Sequence, residues 1–172
     1  MGGKSPYHAA ANPEIQLSGQ IGTDPLNLEA MAKYVGALGS TEASERFEVF
    51  ADELVIDDWM EPGERLVGKA DVVGVFFDPV IGAFDDYVFE VHETIIAGNS
   101  LVVLGHFTGR FVRSFVPGRG KKPIPATGER VRWTARDIYH FQDGRIVRIQ
   151  YGNDTLTVAR QLGTVADDGY PW

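Results

Sequence analysis

The chain has 172 residues, a formal net charge of −8 at pH 7, no cysteine and 44% apolar residues. This length and composition suit one globular domain and exclude disulfides, thiolate nucleophiles and cysteine-ligated metal centres. The acidic balance argues against nucleic-acid binding, which requires neutralisation of phosphates. No run of 18 apolar residues predicts a membrane span, and no apolar leader is visible, so the cytoplasm is the default expectation.

The chain is expected to form one domain with short extensions. Residues 1–23 show no sustained hydrophobic period and are predicted to be an arm. The domain is placed at 24–165, followed by a tail at 166–172. An Asp-Pro pair is typical of a helix start, and an apolar stripe with spacings of 3 and 4 predicts a first helix from Pro25 to Leu38.

Two further helices are predicted in the first half of the chain. The second starts at about Thr41, carries Phe50 and Leu54 on one face, and passes into a short strand at that leucine. The third starts at about Ala70. Pro79 is expected to kink or end it, because proline lacks the N–H that the next helical turn needs.

The second half of the chain changes to alternating hydrophobicity, which predicts strands at Tyr87–Ile96, Leu101–Phe115, Val131–Phe141 and Ile146–Tyr151. An Asp-Gly pair joins the last two strands as a hairpin. A short helix is predicted to end at Leu162. Helices followed by antiparallel strands indicate an α+β fold, with one strongly bent sheet folded around the helices.

Asp137 interrupts the pattern of its own strand. Every second residue of the strand lies on one face, and all of these residues except Asp137 are apolar or aromatic. A buried carboxylate is costly unless it is paired, hydrogen-bonded or protonated, and burial raises its pKa towards neutrality. A carboxyl group tuned in this way can exchange protons with a substrate near pH 7. The alternative is a structural aspartate held by an arginine or a backbone amide. The positions on this face are Val131, Trp133, Ala135, Asp137, Tyr139 and Phe141.

Other candidate site residues are aromatic side chains and histidines. The aromatic ones could line a substrate pocket, or pack as an ordinary core. The two histidines lie in strands whose faces the sequence leaves unassigned, so each is either a site residue or a sheet histidine. No metal site is predicted. The candidates are Trp59, Trp133, Tyr139 and Tyr151, together with His92 and His106.

Several stretches carry a family resemblance. They are Gly-Lys-Ala-Asp-Val-Val-Gly-Val-Phe-Phe at 68–77, Pro-Ala-Thr-Gly-Glu-Arg-Val at 125–131, Trp-Thr-Ala-Arg-Asp-Ile-Tyr-His-Phe-Gln-Asp-Gly-Arg-Ile-Val at 133–147, and Asp-Thr-Leu and Arg-Gln-Leu-Gly within 154–163. In this order and spacing they resemble the SnoaL-like polyketide cyclase family of the NTF2-like superfamily.

The resemblance implies a cone-shaped α+β barrel, with a curved antiparallel sheet wrapped around N-terminal helices, and a homodimer. It implies a cyclase that needs neither cofactor nor metal and closes the ring of a hydrophobic, polyketide-like substrate by intramolecular aldol condensation. Asp137 matches the aspartate that such cyclases use as acid and base. A histidine that some of them also use aligns at or near Phe111, which leaves His106 as the candidate second catalytic group.

The resemblance leaves other functions open. Related proteins include isomerases, dehydratases, epoxide hydrolases and modules that only bind small molecules. An epoxide hydrolase of this type has an arginine where Ala135 stands, and an acid on the following strand, Ile146–Tyr151, where this chain has none. An isomerase or dehydratase needs little beyond one tuned carboxyl in an apolar pocket.

Overall fold

A computed structural model of the protein describes residues 22–38, 43–57, 65–116, 120–152 and 154–165. Most of the expected arm, the expected tail and the candidate Trp59 lie outside these ranges. None of the described helices is long and apolar enough to cross a membrane.

Six strands form one curved sheet that does not close into a barrel. Their order is β2-β1-β6-β5-β4-β3, and all neighbours are antiparallel except β1 and β6, which are parallel. The strands are β1 Phe50–Asp57, β2 Arg65–Val67, β3 Phe84–Ala97, β4 Ser100–Phe111, β5 Arg130–Gln142 and β6 Arg145–Gln150.

The helices cover one face of this sheet, which we call the inner face; the opposite one is the outer face. A middle helix has three consecutive segments, the second of them a π-helix. The first helix is Pro25–Leu38, the second is Ala43–Phe47, the middle helix is Lys69–Asp71, Val72–Phe77 and Asp78–Ala83, and the last is Thr155–Gln161. The predicted α+β class is therefore confirmed, as are the first helix and the four long strands of the second half, except that β4 ends at Phe111 rather than at Phe115.

The predicted second helix is wrong beyond its first turns. It ends at Phe47, and both Phe50 and Leu54 lie on β1, where both are buried. The spacing of these residues fits a helical face, but β1 is stabilised by parallel pairing with β6. That partner lies far along the chain, so the local pattern contains no signal for it.

Pro79 does not end the middle helix, which continues to Ala83. The proline lies in the first turn of the third segment, directly after the π-helical segment Val72–Phe77. Proline is tolerated in a first turn because the N–H it lacks has no helical partner there.

The core lies between the helices and the inner face. Burial along β5 alternates as the sequence predicts: Val131, Ala135, Tyr139 and Phe141 are buried on the inner face. Asp137 lies among them and is 2% exposed. The strand therefore places one carboxyl group inside an apolar layer.

Candidate active site

A cavity of about 160 Å³ lies between the inner face and the helices. Its volume is close to that of an apolar protein cavity of roughly 150 Å³ that holds a benzene molecule. Strands β3, β4 and β5 form one wall, and helical residues form the other. The aromatic residues in the wall are Tyr34, Phe76, Phe77, Tyr87, Phe89, Phe107, Phe115, Trp133, Tyr139 and Tyr151.

Asp137 contributes the carboxylate of this cavity wall. Its Oδ2 accepts a hydrogen bond of 3.1 Å from the Tyr139 hydroxyl. Its Oδ1 is buried and has no hydrogen-bond partner among the described residues. Nor does any arginine of the described ranges form an ion pair with it. One carboxylate oxygen is thus available to a ligand in the cavity.

Burial raises the pKa of Asp137 from its ordinary value of 3.8 to about 7. The Tyr139 hydroxyl and the backbone amide of Gly152 act in the opposite direction and limit the rise. The protonated and ionised forms are therefore both populated near neutral pH. This is the condition under which one group can both accept and return a proton.

Three tyrosines lie near the carboxyl group; Tyr34 and Tyr139 are buried, and Tyr151 is partly buried. The Tyr34 ring packs against the Tyr139 ring, and the centroids of the two rings lie 4.7 Å apart. The Tyr151 hydroxyl is buried without a hydrogen-bond partner in the described part of the chain. Burial raises the pKa of all three hydroxyls, so they remain protonated donors at neutral pH. Tyr151 thus offers a second free polar group to a ligand.

Arg46 adds a buried positive charge to the cavity wall. Its guanidinium donates to the carbonyl oxygens of Ala37 and Leu38, at 3.1 and 3.0 Å, and to the Tyr87 hydroxyl at 2.9 Å. It also lies 5.0 Å from the centroid of the Tyr87 ring. These contacts cap the C-terminal end of the first helix and position Tyr87 at the cavity.

The structure separates the sequence candidates into two groups. Trp133, Tyr139 and Tyr151 line the cavity together with Asp137. The two histidines, His92 and His106, do not line it; they lie on the outer face of β3 and β4, with a ring contact between them. Burial and the nearby Arg132 lower the pKa of His106, while Glu90 opposes this.

Most residues that line the cavity were not among the sequence candidates, and Tyr34 and Arg46 are two polar examples. Tyr34 lies beside the apolar stripe of the first helix. A phenol on the buried face of this helix is the only feature of the sequence that could have indicated a site residue there. Arg46 lies in a short polar helix, Ala43–Phe47, where a buried arginine has no distinguishing pattern. Both reach the cavity only through tertiary packing.

Comparison with known proteins gives the family. The SnoaL-like domain pattern matches residues 31–149. No curated protein matches the chain. Among solved structures, a proposed SnoaL-like polyketide cyclase from Jannaschia sp. CCS1 superposes with a TM-score of 0.68 at 16% identity, covering 86% of this chain and 100% of its own.

Two Streptomyces proteins share the fold. AclR, a proposed hydroxylase from Streptomyces galilaeus, has a TM-score of 0.64 at 18% identity and covers 81% of this chain and 97% of its own. IdmH, a proposed polyketide cyclase from Streptomyces antibioticus, has a TM-score of 0.59 at 22% identity and covers 80% and 98%. The fold agrees with the sequence resemblance, and the domain pattern spans more than half of the chain: the protein belongs to the SnoaL-like domain family.

Proposed function

We propose that the protein is a cofactor-independent cyclase that closes a ring in a small, hydrophobic, polyketide-like substrate by an intramolecular aldol reaction. One observation carries the proposal. Asp137 is a buried carboxyl with one free oxygen in the wall of an otherwise mostly apolar cavity. Its pKa of about 7 suits acid and base chemistry near neutral pH.

Asp137 acts first as the base and then as the acid. In its ionised form it removes a proton from the carbon next to a substrate carbonyl. The resulting enolate carbon forms a bond with a second carbonyl carbon of the same molecule, and the oxygen of that carbonyl takes the proton back from Asp137. The free Tyr151 hydroxyl can donate a hydrogen bond to a substrate oxygen as negative charge develops there.

The cavity wall supplies the rest of the catalysis by positioning. Trp133, Tyr139 and Tyr151 line the cavity together with the carboxyl and can hold a flexible chain folded, so that its two reacting carbons meet. A volume of about 160 Å³ encloses a group about the size of one six-membered ring. We place the ring that forms in this cavity, next to Asp137.

The first test is Asp137→Asn. We expect this variant to fold and to lose turnover by about 10²–10⁴-fold, the typical contribution of general acid–base catalysis. Purified protein is assayed against a series of short diketone and keto-ester chains, with cyclised product measured by mass spectrometry. Asp143→Asn is the matched control, because Asp143 lies at the hairpin turn of the same strand at φ 51°, which asparagine also adopts. Full turnover in Asp137→Asn would remove the proposal.

An isomerase or dehydratase is the second candidate. Among the described residues that line the cavity, Asp137 is the only carboxylate and no histidine is present. One such group suffices to move a proton between two atoms of one substrate. Products distinguish the candidates: an isomerase shifts a double bond, and a dehydratase releases water, without forming a ring. If a ligand binds without any conversion, and binds Asp137→Asn equally well, the protein is a non-catalytic binding module.

We also propose the homodimer that the family resemblance implies and the cytoplasmic location that is the default expectation from the sequence. Support for the dimer comes from the outer face, where Ile95 is 43% exposed beside the partly exposed Val102 and Ile138. The expected division into arm, domain at 24–165 and tail remains part of the proposal.

A further inference from the structure

A cluster of metal-ligating side chains lies on the outer face, away from the cavity. Glu90 and His106 are directly paired across β3 and β4, and His92 joins them from β3. Their potential ligand atoms lie within 4.8 Å of one another. The proposed ring closure uses none of these three residues, because it takes place on the inner face.

The nitrogen and oxygen atoms of the cluster lie close together, and each residue can offer one of them to an ion. His106 Nδ1 lies 2.6 Å from His92 Nε2. Glu90 offers one carboxylate oxygen at 3.1 Å from His106 Nε2 and the other at 3.9 Å from His92 Nε2. Ligand atoms bonded to a tetrahedral zinc ion at about 2.0–2.1 Å lie about 3.3 Å apart. Because His92 contacts Nδ1 of His106 and Glu90 contacts Nε2 of the same ring, one of these two side chains must rotate to place two imidazole nitrogens and one oxygen around an ion.

A β-bulge creates this arrangement. The pairing of β3 with β4 shifts between Val91 and Glu93, which makes His92 the extra residue on β3. A bulge re-aims a side chain, and here it brings His92 beside His106. In the single chain the side chains of Glu90 and His92 are 55% and 48% exposed, so an ion can reach them from solvent and water can complete its coordination. The proposed dimer contact is centred on Val102, which lies four positions along β4 from His106.

We propose that Glu90, His92 and His106 form a binding site for a divalent transition metal ion such as Zn²⁺. Two imidazoles, one carboxylate and a water molecule are a donor set that zinc accepts in proteins. Mg²⁺ and Ca²⁺ are disfavoured, since they prefer oxygen ligands throughout. The paired strands hold all three ligands on one rigid surface, which lowers the entropy lost on binding.

Arg132 competes with the metal ion. Its Nη2 lies 3.3 Å from His106 Nδ1. A guanidinium only donates, so Nδ1 is the acceptor in the metal-free protein and His92 Nε2 donates its proton to the same atom. A bound ion replaces that proton and must tolerate the nearby positive charge. Removal of the charge in Arg132→Gln is therefore expected to tighten metal binding.

The experiment is a calorimetric titration of chelator-treated, full-length protein with ZnCl₂, repeated with CoCl₂ to record the visible absorption of bound Co²⁺. We expect one Zn²⁺ per chain. Glu90→Gln, His92→Gln and His106→Gln should each weaken binding by at least about tenfold, and Arg132→Gln should strengthen it. His140→Gln is the matched control, because His140 lies on the same face but is bonded to Ser100 and Gln150.

A second control, His8→Gln, tests for binding by the N-terminal segment and should also leave the affinity unchanged. The proposal is overturned if the wild type binds no Zn²⁺, if the His140 or His8 variant loses as much affinity as the ligand variants, or if Arg132→Gln weakens binding. Circular dichroism establishes that each variant is folded. Should one substitution prevent folding, the remaining ligand variants and Arg132→Gln still decide the question.

Discussion

Asp137 makes the stability of the protein depend on pH in an unusual direction. Its pKa is about 7 in the folded chain, whereas an exposed aspartate titrates near 3.8. Between these values the unfolded chain has released this proton while the folded chain retains it. By proton linkage, the free energy of unfolding then falls as pH rises. The contribution is fully present below about pH 4 and is lost as pH rises through about 7.

We therefore expect Asp137→Asn to be more stable than the wild type above pH 7, and this advantage to shrink as pH falls to 4. A pKa difference of this size corresponds to about 4 kcal/mol. Urea unfolding at pH 4, 5.5, 7 and 8 gives the free energy of unfolding of each protein. The difference between the two proteins at each pH isolates Asp137, because the titration of all other groups cancels. Asp143→Asn, which removes an exposed carboxyl at the hairpin turn, is the control for the loss of a carboxyl as such. A constant difference between Asp137→Asn and the wild type would show that the carboxyl titrates normally.

The residues that the sequence could predict are those whose signal is local. Asp137 was found because a strand has a period of two, and one carboxyl in an apolar series is visible without knowledge of its neighbours. Trp133 and Tyr139 share its face and follow from the same period. The placement of His92 depends on a bulge between β3 and β4, and a bulge arises from the pairing of two strands rather than from either one.

At the scale of the structural elements, β3 and β4 approach each other closely at Gly105. A Cβ atom at this position would lie 2.3 Å from the Glu90 carbonyl oxygen and 3.1 Å from the Phe89 ring. Only glycine therefore permits this part of the pairing. Because Glu90 and Phe89 lie on the two faces of β3, the contact supports both the outer cluster and the cavity wall.

We expect Gly105→Ala to destabilise the protein by about 1–3 kcal/mol, the usual cost of overpacking. Urea unfolding measures the loss. Gly36→Ala is the matched control, since Gly36 lies within the first helix with nothing within 4 Å of a Cβ atom. That substitution should stabilise the helix by about 0.5–1 kcal/mol. Equal effects of the two substitutions would contradict the close approach of the strands.

The elements that were predicted incorrectly depend on distant partners. The spacing of Phe50 and Leu54 fits a helix and a buried strand equally well, and only the pairing of β1 with β6 decides between them. In the middle helix, the π-helical segment ends at Phe77 and an α-helical segment begins at Asp78, which accommodates Pro79 in a first turn. The sequence around Pro79 contains no local signal for this change. The long strands of the second half were predictable because Asp-Gly and Gly-Asn turns fix their ends locally.

At the scale of the whole molecule, residues paired across β3, β4 and β5 form rows on the outer face, one of them apolar and another with charged residues at its ends. Ile95, Val102 and Ile138 are consecutive partners across β3, β4 and β5. In the next row, Glu93 and Arg136 lie on either side of Leu104 on β4. A twofold axis along β4 would place β3 of one copy, which carries Glu93, over β5 of the other copy, which carries Arg136. An isologous contact of this kind buries the apolar row and pairs the charges.

We therefore expect the wild type to have a mass in solution of twice the 18.9 kDa of one chain. Val102→Asp should yield a monomer, because it places a charge in the middle of the apolar row. Light scattering after size-exclusion chromatography measures both masses. Val67→Asp is the control: Val67 is 57% exposed but lies on β2, at the far edge of the sheet. A monomeric wild type, or a dimeric Val102→Asp, would exclude this interface. Because residues of one chain line the cavity, the Val102→Asp monomer should retain the turnover that depends on Asp137.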